Sequence, residues 1–332
     1  SAQADIKPFG DERLVITPQA YWHRDVDHYQ LTRGKEGAKN GENYHRTDVY
    51  GASLNAHATW LLGKTAVGMD IRKEHILSTA YGDVLPENEW KDIHGTDRRY
   101  DHRGDRTNTS LFLEHNVILG GFTLSAGVLA NRNTGLDGDF RFYPGVDISY
   151  RPNEMWKFYA SWNKALRVPT YTDLYTSNSV QQGDTGLRPE RTSTFKAGTR
   201  FRTRGVEAVV SGFYSKGNDI IDWVYETEES RKYHAMNIGK LDNMGYSVDA
   251  TLNMTELIPG SFVTRIKAGY ARIHQRHTTE QPVYRSLYAL EYLRHKATFQ
   301  LDHRIWSRLS ASWAVRWQER MYHYEPYTKV DC

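Results

Sequence analysis

The 332-residue sequence has almost no cysteine, only Cys332 at its last position. That excludes a disulfide framework and any cysteine-ligated metal centre. Long apolar runs are missing too. Nowhere do the roughly 18 consecutive apolar residues of a membrane-spanning helix occur, which excludes a helical membrane protein but leaves strand-built barrels untouched. An excess of one charge is equally absent, since 43 Lys and Arg stand against 40 Asp and Glu, a formal net charge of +3. So balanced a chain offers nucleic acid no electrostatic footprint. The opening SAQADIKPFG carries no basic-then-apolar signal segment. Catalytic signatures fail as well: G-x-S-x-G, H-E-x-x-H and the calcium-loop pattern do not occur, and Gly63-Lys64-Thr65 has Ala58 where a phosphate-binding loop needs glycine. No cofactor and no enzymatic activity are expected.

What is present is strand chemistry. The hydrophobic fraction is 39% and the mean hydropathy −0.69, below the usual makeup of a soluble domain. Aromatics reach 13%, with 22 Tyr and 9 Trp, residues that favour strands and polar–apolar boundaries. About thirteen segments alternate with period two. In MGYSVDATLNM, residues 244–254, Met244, Tyr246, Val248, Ala250, Leu252 and Met254 share one side and Gly245, Ser247, Asp249, Thr251 and Asn253 the other. Residues 45–60 set Tyr50, Ala52, Leu54, Ala56, Ala58 and Trp60 against Gly51, Ser53, Asn55, His57 and Thr59.

The connections discriminate further. Tight ones at 62–64, 120–121, 151–154, 203–205, 258–260 and near Ser307 alternate with long polar ones at 33–44, 81–106, 167–189, 219–236 and 277–287, with 134–139 a short exception. Such sorting belongs to a transmembrane antiparallel β-barrel, whose two rims differ. Trp60, Tyr150, Trp156, Phe201, Phe262 and Trp306 cluster near the tight turns, as an interfacial belt requires. Ordinary core-edge aromatics would not explain why Lys196, Arg200, Arg202, Asp249, Arg265, Lys267 and Lys296 fill the opposite face. A wet or plugged lumen tolerates those charges, and a packed interior does not. Thirteen strands are an odd number for a closed bacterial barrel. The chain is therefore expected to be part of a larger one, with strands missing before residue 13 and after about 322.

Four stretches resemble TonB-dependent outer-membrane receptors. SWNKALRVPTYTDLY (161–175) carries an R-x-P segment leading to a Leu-Tyr pair, and TGLRPERTSTFKAGTRF (185–201) an L-x-P-E segment before a strand ending in Gly-x-Arg-aromatic. FYSKGNDIIDWV (213–224) and NIGKLDNMGYSVDATLN (237–253) resemble the following hairpin, where Asn-x-Gly precedes a glycine-led strand; Tyr246 and Asp249 depart from its usual Val-Glu. The likeness covers most of 140–322 and, more loosely, 13–140. DIIDWV and LRHKATFQLD (293–302) look nearest the cobalamin-transporter branch.

The resemblance implies an all-β fold in the bacterial outer membrane. Residues 1–332 would form part of a 22-stranded barrel, with the plug domain and remaining strands lying outside this chain. It implies active import of a scarce large ligand, cobalamin or another corrinoid, with a ferric siderophore or a glycan as the alternative. The implied partners are its own plug, the TonB complex, a capping surface lipoprotein, and lipopolysaccharide and lipid. A passive porin or adhesin-like barrel competes with this reading, as does, more weakly, a barrel enzyme with its active site on the outer loops.

For ligand binding the candidates are the loop residues Tyr171, Tyr175, Asn178, Asp222, Trp223, Tyr225 and Tyr233, because aromatic faces with a few hydrogen-bonding groups suit a large, weakly charged molecule. The same aromatics can equally pack loop on loop. His23 with His28 and His274 with His277 read as solvated histidines rather than metal pairs. Asp137 and Asp139 make a poor calcium cage. The doubly charged run 87–106 reads as a solvated outer loop, or one whose arginines lie against lipopolysaccharide phosphates.

Overall fold

The computed structural model describes residues 1–37, 41–136, 138–290 and 292–321. Among the described residues thirteen strands of ten residues or more follow one another: β1 (Leu14–Gln30), β2 (Glu42–Trp60), β3 (Gly63–Ser78), β4 (His102–Leu119), β5 (Phe122–Asn133), β6 (Arg141–Tyr150), β7 (Trp156–Arg167), β8 (Glu190–Thr203), β9 (Val206–Asn218), β10 (Gly239–Asn253), β11 (Val263–Thr279), β12 (Leu293–Trp306) and β13 (Leu309–Arg320). Each pairs antiparallel with the next, in one meander. Two-residue strands at Ala2–Gln3 and Asp83–Val84 join the sheet and bring it to 15 strands. Among the described residues the sheet is open: β1 and β13 do not pair with each other.

Register settles the sidedness that alternation predicts. Leu54 lies opposite Pro18 on one neighbour and Met69 on the other, and Val210 opposite Thr199 and Val248. One face is thus apolar across the whole sheet and stands open: Leu54 is 54% exposed, Phe195 50% and Trp313 63%. No soluble fold leaves so wide an apolar face uncovered, and hydrocarbon is the solvent that makes it favourable. The opposite face is polar and stitched by ion pairs, such as Arg200–Glu207 at 2.6 Å and Arg265–Asp302 at 2.7 Å.

The rims differ as expected. Connections at 61–62, 120–121, 151–155, 204–205 and 307–308 are tight, whereas 31–41, 79–101, 168–189, 219–238 and 280–292 are long. At the tight-turn rim, Phe122 stacks on Tyr150 (4.2 Å) and Trp156 tilts against Phe201 (4.7 Å). One connection departs from expectation. The strand of residues 244–254 ends at Asn253, and Met254–Leu257 turn as a short helix instead of continuing the apolar row. Pro259 cannot carry the strand on, so the turn before it takes up the slack.

At about 3.4 Å per residue the 19 residues of β2 are far longer than an apolar band of about 25 Å needs, even tilted. The surplus rises at the long-connection rim and carries the loops. Apart from Val15, the buried hydrophobic residues lie in those loops or the strand ends that enter them. The packed core of the chain is therefore a loop layer.

Candidate functional site

Among the described residues the loop layer contains three apolar clusters. Leu77 at the end of β3 and Leu85, Ile93 and Tyr100 of 79–101 form one. Ile220, Val224, Ile238, Leu241 and Leu290 form the second, and Leu187, Ile221, Trp223 and Ala235 the third. A small sheet underlies the last two, in which Ile221–Tyr225 pairs with both Tyr233–Asn237 and Arg285–Ser286, and Tyr233–Asn237 also takes Gln181–Gln182. Three long connections are thereby woven into one body.

The stretches that carried the family likeness meet in this body. From the R-x-P segment, Arg167 donates to Asp173 (3.1 Å) and to Glu190 (2.8 Å) of the L-x-P-E segment. Glu190 also accepts the Ile221 N–H at 2.9 Å. From the Asn-x-Gly segment, Asn237 donates to the carbonyls of Arg188 and Asp219 at 2.9 and 2.7 Å and accepts the Arg188 N–H at 2.9 Å. Asp219 holds a left-handed φ of 54° and receives Arg188 and Arg191. Burial alone would raise its carboxyl, but the two guanidiniums hold it below the usual carboxylate range.

Tyr171 and Tyr175 open and close a single helical turn whose start is a capping box: Thr170 accepts the Asp173 N–H and Asp173 accepts the Thr170 N–H. That turn lies against the polar face. Tyr171 packs over Gly104, where an added Cβ would stand 2.7 Å from its Cε1, and Arg106 sits 4.6 Å above its ring. Arg106 is held by Glu74 and by the Pro169 carbonyl at 3.0 Å. Burial pushes the Tyr171 hydroxyl up to about 12, so it stays a neutral phenol. The rings of Tyr171 and Tyr175 lie 6.2 Å apart.

The other candidates fall into different settings. Asn178 accepts the N–H groups of Val180 and Gln181 at 2.9 and 2.8 Å and so shapes its own turn. Tyr225 and Tyr233 stack at 4.0 Å, partly exposed. Trp223 is buried in the third cluster. Asp222 is 1% exposed and accepts the N–H groups of Trp223 (2.8 Å), Tyr288 (3.2 Å) and Ala289 (2.9 Å) and the Ser286 hydroxyl. Burial lifts its carboxyl above the usual range, against the pull of those donors. Asp222 thus fastens 280–292 to 219–238, while Tyr171, Tyr175, Tyr225 and Tyr233 stay partly exposed.

Several residues of the layer carry no motif. Glu42 is buried and accepts from Gly37 N–H (2.6 Å), His28 (2.8 Å), Tyr44 (3.1 Å) and Arg98 (3.3 Å). The Gly37 N–H first, then His28, hold its carboxyl down at about 2. Tyr81 bonds Thr176 at 3.0 Å, linking 79–101 to the end of the helical turn. Only their place beside loop-end hydrophobics could have flagged them. Among the described residues no group of three or more His, Cys, Asp or Glu is placed to hold a metal ion. His23, His28, His274 and His277 stand on strands. Asp137 and Cys332 lie outside the described residues.

A family model described as "TonB dependent receptor-like, beta-barrel" matches residues 7–331. Among solved structures, the FrpB iron transporter from Neisseria meningitidis aligns with a TM-score of 0.64 at 17% identity, over 94% of this chain and 50% of that one. The copper transporter OprC gives 0.63 at 17%, over 89% and 48%. A variant of the ferric enterobactin receptor PfeA from Pseudomonas aeruginosa, solved with enterobactin, gives 0.64 at 16%, over 92% and 47%. The chain spans about half the length of these structures.

Proposed function

Because the chain belongs to the TonB-dependent receptor β-barrel family, whose barrels lie in the outer membrane of Gram-negative bacteria, we propose that it is the greater part of the barrel of an uptake receptor for a metal chelate. In this reading the complete protein adds a plug and the remaining strands, binds its cargo at the loop layer and imports it with energy delivered through TonB. The observation that carries the reading is the woven loop body. It holds two tyrosine pairs, Tyr171 with Tyr175 and Tyr225 with Tyr233, on a rigid support at the long-loop rim. Ring faces held this way grip a large, weakly charged ligand through area and a few phenolic hydrogen bonds.

Two chelate classes fit that chemistry. The names of the neighbouring structures concern iron, copper and ferric enterobactin, which favours a ferric siderophore. The DIIDWV and LRHKATFQLD stretches favour a corrinoid, a cobalt chelate of similar bulk. Titration of the complete receptor with ferric siderophores, copper and cyanocobalamin separates them. The proposal expects submicromolar binding of one class, weakened about tenfold by Tyr171→Ala or Tyr225→Ala, as when a buried aromatic contact is lost. No binding of any chelate, with TonB-independent solute leakage through the barrel, would instead mark a passive porin.

A further inference from the structure

Asp27, His45 and Ser78 stand in one register row across β1, β2 and β3, on the polar face where the strands enter the loop layer. His45 is 8% exposed and Ser78 0%. A serine hydroxyl has one proton to give and two lone pairs to share. Both lone pairs of Ser78 are taken, by the N–H groups of Ala80 at 2.9 Å and Tyr81 at 2.8 Å, where the chain leaves β3. Its proton therefore goes to Nδ1 of His45, 2.8 Å away. Nδ1 must be bare, so the imidazole is neutral with its hydrogen on Nε2. The Tyr81 ring lies on that imidazole at 4.2 Å, and its hydroxyl bonds Thr176 at 3.0 Å. Thr176 in turn closes the helical turn of Tyr171 and Tyr175, giving its N–H to the Thr172 carbonyl at 3.1 Å. A chain of contacts thus runs from His45 through Ser78 and Tyr81 to that turn.

The charged and titratable groups around the imidazole sort clearly. From β1, the exposed carboxylate of Asp27 lies directly across the ladder, with Asp25 next on the same face. From 79–101 come the Tyr81 phenol and Asp101. Asp101 gives its N–H to the Ser78 carbonyl at 3.1 Å and spends its carboxylate on His102 at 2.7 Å. Farther down β3, Glu74 is held by Arg72 and Arg106. Burial keeps the His45 imidazole below the ordinary histidine range, and Asp27 pulls weakly the other way. Other histidines of the layer are built differently: His28, His75, His102 and His234 each touch a carboxylate. Acid tightens those contacts, whereas at His45 it breaks one. An imidazolium donates from both nitrogens, and its Nδ1–H would meet a hydroxyl whose lone pairs are already spent.

We propose that His45 is a proton-operated latch on the loop layer. Neutral, it accepts the Ser78 hydroxyl and carries the Tyr81 ring, which pins 79–101 to the helical turn. In mild acid it takes a proton, lets go of Ser78 and turns toward Asp27, and the start of 79–101 comes away with its Tyr81 anchor. The sign follows from burial: the closed layer binds fewer protons at this site than the open one. The stability it contributes is complete above the ordinary histidine range and is lost as pH falls through that range and below it. A consequence for cargo, weaker holding in acid by the turn that carries Tyr171 and Tyr175, rests in addition on the transport reading.

Hydrogen–deuterium exchange on the complete receptor, read as protection factors, tests the latch. From about pH 8 to about pH 5, protection of the Ala80 and Tyr81 amides should fall about fivefold, the worth of one neutral hydrogen bond. Peptides covering 219–238 should hold. His45→Asn places an amide oxygen near the Nδ1 position and cannot take a proton, so its profile should be flat. Asp27→Asn, at an exposed position, should move the wild-type fall to lower pH. A heat-modifiable gel shift shows that each variant has folded. The proposal is overturned if the wild type shows no fall, if His45→Asn keeps the slope, or if Asp27→Asn leaves the midpoint unmoved or raises it. Chelate titration over the same pH range is a separate readout. Lost protection with unchanged affinity supports the latch and tells against cargo held at the turn.

Discussion

Replacing Asp222 by alanine removes the buried side-chain acceptor that, beside the short backbone pairing of Ile221–Tyr225 with Arg285–Ser286, joins two long loops. Four donors converge on its carboxylate: the N–H groups of Trp223, Tyr288 and Ala289, and the Ser286 hydroxyl. The site is closed to solvent, so no water replaces the lost oxygens. A stranded buried donor costs about 1–3 kcal/mol, and neighbouring losses overlap rather than add. The expected local penalty is therefore about 3–6 kcal/mol, or roughly two to four powers of ten in the opening equilibrium. Asp222→Asn should be far milder. Its carbonyl still accepts from Trp223 and Tyr288, the Ser286 hydroxyl can turn to accept, and only the Ala289 N–H is left facing an amide. Hydrogen–deuterium exchange on the complete receptor reads both. In the alanine variant, peptides covering 280–292 and 219–238 should lose protection, β1 to β9 should not, and asparagine should fall between alanine and wild type. Unchanged protection of 286–290 in the alanine variant would refute the reasoning, as would asparagine and alanine behaving alike.

Glu42 gives a pH signature at the neighbouring loop. Its carboxyl is held low, so the stability it contributes is complete above the ordinary carboxylate range and is lost as pH falls from there toward about 2. The protection factor of the Gly37 amide should fall as pH drops through that window, and Glu42→Gln should abolish that fall. At Gly104 an added side chain would meet the Tyr171 ring at 2.7 Å and Ile76 Cγ2 at 2.9 Å, so Gly104→Leu should lift the Tyr171–Tyr175 turn away. Chelate affinity should fall by about the tenfold expected for Tyr171→Ala, with the heat-modifiable shift of the barrel intact.

The barrel was legible in the sequence because lipid imposes a rule that reaches every second residue. Leu54, Val210 and Phe299 obey it whatever their neighbours, and tight and long connections alternate for the same reason. The loop layer was legible only as motifs. Arg167, Pro169, Leu187, Glu190 and Asn237 could be picked out as familiar, but that they tie one knot depends on contacts across 23 and 49 positions. The role of Asp222 was hidden more deeply. It read as a ligand group since polar loop residues usually face solvent, whereas its partner Ser286 lies 64 positions away and the apolar residues that bury the pair, such as Ile220, Ile238 and Leu290, follow no period. The end of β10 was misjudged by one residue because Met254 fits the apolar alternation, and only backbone geometry shows it leaving the row.

Barrel and import reading alike depend on which solvent the apolar face meets, and site-directed spin labelling measures that directly. In a complete receptor with Cys332 replaced by serine, single cysteines at Leu54, Val210 and Val248, and at their neighbours Ser53, Ser211 and Ser247, would carry a nitroxide in a reconstituted bilayer. The first three should relax strongly with oxygen and weakly with a water-soluble nickel chelate, and their neighbours the reverse. Uniform accessibility along the strands, or oxygen and nickel exchanging places, would contradict the account.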